Sequence, residues 1–200
     1  MGPRSSPDAR RIQYLRAREK PLGNRVTASR ERTIELAHAF LDEVRHDLEV
    51  ATAQRCDLPP RIKTMNSRAG HATPEYRTLA IPQARGTKAS TALLSQSISQ
   101  YARTKQPCCI VLAFDALLDA EVGEPTPVLI AEARDLWGTR LFFMQPFRCA
   151  GERVAWGEPV GGGWREPGDE EMILDAAFDP VVGESGARPQ LAAAAPRPAS

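Results

Sequence analysis

Three sets of side chains in this sequence have the types and spacing that chemistry would need. The first lies on one helical face: Glu35, His38, Asp42, His46 and Glu49. At about 100° per residue these fall within roughly 80° of arc, with His38, Asp42 and His46 stacked at four-residue intervals. Neighbours placed in this way can share a proton or hold a divalent metal. They sit well away from the apolar positions of the same helix, however. A metal centre needs a shaped, partly dry cavity and supporting hydrogen bonds around its ligands. A solvated helix face is the plainer reading, and no metal or other cofactor is expected.

The second set is carboxylates: Asp115 at the end of an apolar run, then Glu132 and Asp135 on the next. An acid followed by Glu132-Ala133-Arg134 resembles the metal-binding pattern of restriction-endonuclease-like nucleases. In that family an acid precedes an acid-x-lysine strand, and the carboxylates hold Mg²⁺ for phosphodiester hydrolysis. The resemblance covers some twenty residues and implies a metal-dependent nuclease or hydrolase with Asp115 and Glu132 as metal ligands. Arg134 stands where the pattern has lysine, and a hairpin strand follows where the family has a helix. The competing reading pairs Glu132 and Arg134 with cross-strand neighbours on a surface.

The third set is basic. Arg61, Lys63, Arg68, Arg77, Arg85, Lys88, Arg103 and Lys105 run through residues 55–105, with Tyr76 and Tyr101 between them. Such a stretch can follow a phosphate backbone, and the Arg-rich residues before position 32 would add to it. Net charge is only +1, but residues 1–32 carry +6, 33–54 carry −4, 55–105 carry +7 and 106–200 carry −8. The basic and acidic stretches can therefore balance each other within the chain or serve separate partners.

Other chemistries find no support. Gly161-Gly162-Gly163 lacks the Lys-Ser/Thr and the strand–helix setting of a phosphate-binding loop. No Gly-x-Ser-x-Gly elbow occurs. The four cysteines, Cys56, Cys108, Cys109 and Cys149, show no metal-ligand spacing and read as reduced, mostly buried thiols. There is no apolar run near the eighteen or so residues of a membrane span, and no apolar stretch of signal-peptide length in the first thirty. A cytoplasmic protein without a membrane partner is expected. The Ala/Arg/Pro-rich composition suggests a GC-rich, bacterial-type source.

The elements that must position these groups centre on Pro107-Cys108-Cys109-Ile110-Val111-Leu112-Ala113-Phe114. As a strand this run puts Cys108, Ile110, Leu112 and Phe114 on one face and Cys109, Val111 and Ala113 on the other. Both faces are apolar, so both need cover. Upstream, Ile34, Ala37, Leu41, Val44, Leu48 and Ala51, widened by Phe40, form the stripe of a helix over about 30–54, with Ser29 as its cap. Arg61–Met65 and Tyr76–Ile81 read as a candidate hairpin. A second helix over about 88–105, capped by Thr87 or Ser90, carries Leu94, Ile98, Tyr101 and Ala102.

Downstream, residues 128–135 and 139–147 flank the turn Leu136-Trp137-Gly138, and 152–158 follows a second turn. Residues 169–178 read as a short helix with Asp169 as its cap. Phe142 and Met144 face away from Leu141, Phe143 and Phe147.

The expectation is an α+β fold: an antiparallel β-meander of four to six strands with two main helices packed on it. A disordered basic arm (1–28) precedes a single domain (29–180), and a disordered Ala/Pro tail (181–200) follows it. The expected function is a non-enzymatic interaction module that self-associates or binds a protein partner through an apolar sheet face. Phe142, Met144 and Trp156 are its interface candidates. Nucleic-acid binding through Arg61, Lys63, Arg68, Arg77, Arg85 and Lys88 is the alternative.

Overall fold

The computed structural model describes residues 22–66, 73–82, 91–118 and 124–178. The uncharged run after Pro107 is strand β3, Cys109–Leu118. It lies inside a six-stranded antiparallel sheet of order β2-β1-β3-β4-β5-β6, built with β1 (Arg61–Asn66), β2 (Glu75–Ala80), β4 (Thr126–Asp135), β5 (Arg140–Ala150) and β6 (Arg153–Trp156). β3 to β6 form the meander. β1 and β2 extend it as a hairpin on the far side of β3, which leaves β2 outermost. The expected fold class is the observed one.

Both faces of β3 are covered from Cys109 to Phe114, and by the chain itself, whereas Asp115, Leu117 and Leu118 are exposed. Cys109, Val111 and Ala113 pack with Met65, Leu129, Ala131, Ala133, Leu141, Phe143 and Phe147 beneath helix α1, Leu22–Ala53. The stripe Leu36, Ala37, Phe40, Leu41, Val44, Leu48 and Ala51 closes that side. On the other face, Ile62, Ile110, Leu112 and Phe114 meet Leu94, Ile98 and Ala102 of helix α2, Thr91–Lys105. Leu174, fully buried, completes this cover. Each such Leu or Ile contributes about 1.5–3 kcal/mol on leaving water.

Helix α1 corrects one boundary. It begins at Leu22, before the expected start at about residue 30, so residues 22–28 are helical. Ser29 is inside the helix and buried, and its carbonyl accepts the Thr33 hydroxyl at 3.1 Å. Ser29 and Thr33, both buried and four residues apart, continue the stripe backwards from Leu36 and Ala37. The helix ends where Arg55 takes φ 55°, with the Cys56 N–H bonded to the Ala51 carbonyl at 3.0 Å. This is a left-handed C-terminal cap. Residues 1–21 and 179–200, and the candidate caps Thr87 and Ser90, lie outside the described residues.

The turn joining β4 to β5 is organised by Asp135. Its carboxylate accepts the N–H groups of Trp137 and Thr139, both at 2.9 Å, and the Thr33 hydroxyl at 2.8 Å. Gly138 supplies φ 92° there. The Gly161-Gly162-Gly163 stretch forms a 3-10 turn, Val160–Gly162. The last helix, α3, is only Asp175–Phe178, so Asp169 does not cap it. Among the described residues no helix is long and apolar enough to cross a membrane.

Candidate functional site

Strand alternation places Glu132 and Arg134 on the α2 side of the sheet, opposite Leu112 and Ile110. Both are buried. The segment 165–178 crosses this face as a strap, and charged side chains from the sheet hold it. Asp175 takes ion pairs from Arg134 and from Arg140, the latter at 2.8 Å. Its carboxylate also accepts the Met172 N–H at 3.0 Å. Arg140 donates to the carbonyls of Gly168 and Glu170, both at 2.7 Å. Glu132 accepts the Leu174 N–H at 3.0 Å, which seats Leu174 in the core. Burial pushes the Glu132 carboxyl up to about 7, against the backbone N–H groups of Leu174 and Ile173, which favour its ionised form.

These partners account for Glu132 and Arg134. Asp115 is exposed and opposite Leu129, on the α1 side of the sheet, whereas Glu132 is on the other face. The two do not converge, and Arg134 is committed to the strap. The helix-face set is solvated: His38, Asp42 and His46 are all exposed. Asp42 pairs with Arg45 at 3.4 Å, and His38 lies edge-on to Trp164 at 6.3 Å. Among the described residues no group of three His, Cys, Asp or Glu is placed to hold a metal ion. Cys109 is buried, which pushes its thiol up to about 12 and leaves it a packing group rather than a nucleophile.

The interface candidates divide between faces. Phe142 and Met144 lie on the strap side and are half-buried. The Arg165 guanidinium covers the Phe142 ring at 5.0 Å, and the two residues exchange backbone hydrogen bonds. Trp156 pairs with Phe147, whose side chain belongs to the α1 core, so it faces α1. There it stacks near Phe147 at 5.6 Å and donates to Glu49 at 2.9 Å. The three do not form one patch.

Three of the basic candidates are compensated within the chain, and Arg103 and Lys105 lie exposed at the end of α2. Arg61 pairs with Asp47, Lys63 with Glu43, and Arg77 with Glu75 at 2.6 Å. Arg68, Arg85 and Lys88 lie outside the described residues. A cleft of about 270 Å³ opens beside Trp137 and Gly168. Its two guanidinium groups are engaged, Arg30 with Glu166 at 2.5 Å and Arg140 with the strap.

What stands out is β2. All six residues from Glu75 to Ala80 are exposed, Tyr76 and Leu79 among them. Its only strand neighbour among the described residues is β1. The Ile81 N–H bonds to the Pro60 carbonyl at 2.7 Å. Antiparallel ladders alternate, so Glu75, Arg77 and Leu79 also direct their backbone groups to β1. On the other edge of β1, the Met65 carbonyl accepts the Cys108 N–H at 2.9 Å, which requires the same phase. The N–H and C=O groups of Tyr76, Thr78 and Ala80 therefore point off the sheet. Sequence reading missed this edge, although the strand itself was visible. Its signal is an alternating Tyr-Arg-Thr-Leu segment between Pro74 and Pro82.

Comparison with known protein families, with curated proteins and with solved structures finds no match.

Proposed function

We propose that this protein is a non-enzymatic cytoplasmic binding module that takes a strand of a protein partner onto the β2 edge. The observation that carries this reading is the row of outward backbone donors and acceptors on a strand exposed on both faces. Such a row templates another strand: main-chain hydrogen bonds supply affinity and alternate side chains supply specificity. The broad sheet faces are less suited, because α1, α2 and the strap already lie on them. Nucleic-acid binding has less to draw on, since Arg61, Lys63 and Arg77 are neutralised by neighbouring carboxylates.

Thr78→Pro tests the reading. It deletes an outward N–H and leaves the ladder to β1 intact, a place where an edge strand tolerates proline. The melting temperature should hold within a few degrees. Binding of added strand-forming peptides, read as slowed amide exchange at Tyr76 and Ala80, should disappear. Exchange that no such peptide slows in the wild type, or that is slowed equally in the variant, contradicts edge addition.

A further inference from the structure

Resting on the reading of β2 as a strand-accepting edge, we propose that the strand it accepts is β2 of a second copy, antiparallel about a two-fold axis at Thr78. The backbone phase limits the registers. Tyr76, Thr78 and Ala80 present the outward groups, so only these positions can make hydrogen-bonded pairs. An axis at Tyr76 sets Pro74, which has no N–H, against Thr78 and overlaps only a short piece of strand. An axis at Arg77 places two guanidinium groups directly opposite, which is destabilising. An axis at Leu79 sets Pro82 against Tyr76, again without a donor.

The axis at Thr78 has none of these faults. Tyr76 faces Ala80 of the second copy, Thr78 faces Thr78, and Ala80 faces Tyr76. Every outward N–H and C=O of the three residues gains a partner. Arg77 lies opposite Leu79, so its methylene stem covers the exposed leucine while its charge stays with Glu75 of its own chain. Thr–Thr and aromatic–aliphatic neighbours are favourable cross-strand pairs. Of the usual blocks to edge pairing the strand carries two charged side chains, Glu75 and Arg77, and these pair with each other. Glu75–Ala80 contains no proline and no lysine, and its register with β1 runs without a bulge.

Sedimentation velocity and a cysteine crosslink test this together. Thr78→Cys is made in a Cys56→Ser, Cys149→Ser background, because those two thiols are exposed while Cys108 and Cys109 are buried. A hydrogen-bonded antiparallel pair holds its Cα atoms about 5.5 Å apart, within disulfide reach. Expected are a concentration-dependent dimer of the wild type, efficient oxidative crosslinking at position 78, and none for Ala80→Cys in the same background. Thr78→Lys sets like charges across the axis and should sediment as a monomer with an unchanged melting temperature. A dimer that survives Thr78→Lys, or crosslinking at 80 instead of 78, overturns the proposal. A monomeric wild type whose Tyr76, Thr78 and Ala80 amides are protected by unrelated strand-forming peptides keeps edge addition and removes the second copy. A monomer indifferent to such peptides removes both.

Discussion

Glu132 shows how much a single side chain's role depends on what folding brings to it. In the sequence Glu132 stands as an acid two residues before Arg134, in a pattern whose carboxylates would hold a metal ion. Its actual partner is the N–H of Leu174, forty-two residues away in sequence, and no local pattern reports a contact of that range. Burial raises its pKa from the ordinary 4.5 to about 7. A carboxyl whose folded pKa lies above its unfolded one binds more protons in the native state. The stability linked to it is therefore fully present below about pH 4.5 and is lost as pH rises through about 7. Glu132→Gln keeps an oxygen for the Leu174 N–H and removes the titration. Urea unfolding should show the variant more stable than wild type at pH 8, by about 2–3 kcal/mol. Its stability should also be flatter between pH 4.5 and 7. A variant that is less stable at pH 8 would mean that the ionised carboxylate, and not its cost of burial, dominates at this site.

Among the elements, those with periodic patterns were legible and those defined by long-range pairing were not. The stripe of α1 and the uncharged run of β3 both follow from side-chain periodicity, and both lie where that periodicity puts them. The start of α1 was missed because Ser29 has the side chain of a cap. Ser29 and Thr33 are both buried but polar, so hydrophobicity does not show the stripe running back through them. The facing of Trp156 depends on how many residues the β5–β6 turn consumes, a count that hydrophobicity does not fix. Within the strap, the pattern of residues 169–178 is that of a short helix capped by Asp169, but the helix there is only Asp175–Phe178. In the fold its order comes from Asp175 between Arg134 and Arg140. Truncating that carboxylate leaves the Arg134 guanidinium, whose side chain is only 9% exposed, without this ion pair. Asp175→Ala is expected to lower unfolding free energy by about 3 kcal/mol. Limited proteolysis should then cut first within 165–178, whereas cleavage that begins in α1 or α2 would show that the strap does not depend on this clamp.

The whole molecule is built outward from the apolar centre of β3 to the bare border of the sheet at β2. An apolar strand needs cover above and below, and this chain supplies it from its own helices and strap. The β2 edge is then the principal run of backbone that the described fold leaves unmatched. The sequence could not announce this, because β2 becomes outermost only when the chain returns through α2 to place β3 on the other side of β1. The charge blocks that suggested separate partners turn inward in part, through Asp47 with Arg61 and Glu43 with Lys63.

Residue-resolved amide exchange of the dilute wild-type protein tests this most directly. A free edge predicts a two-residue alternation along β2, with Arg77 and Leu79 protected by β1 and Tyr76, Thr78 and Ala80 exchanging at nearly unfolded rates. β3 should be the slowest strand of all. If Tyr76, Thr78 and Ala80 exchange as slowly as Arg77 and Leu79 at low concentration, the edge is already occupied by this chain, and the binding surface argued for it does not exist.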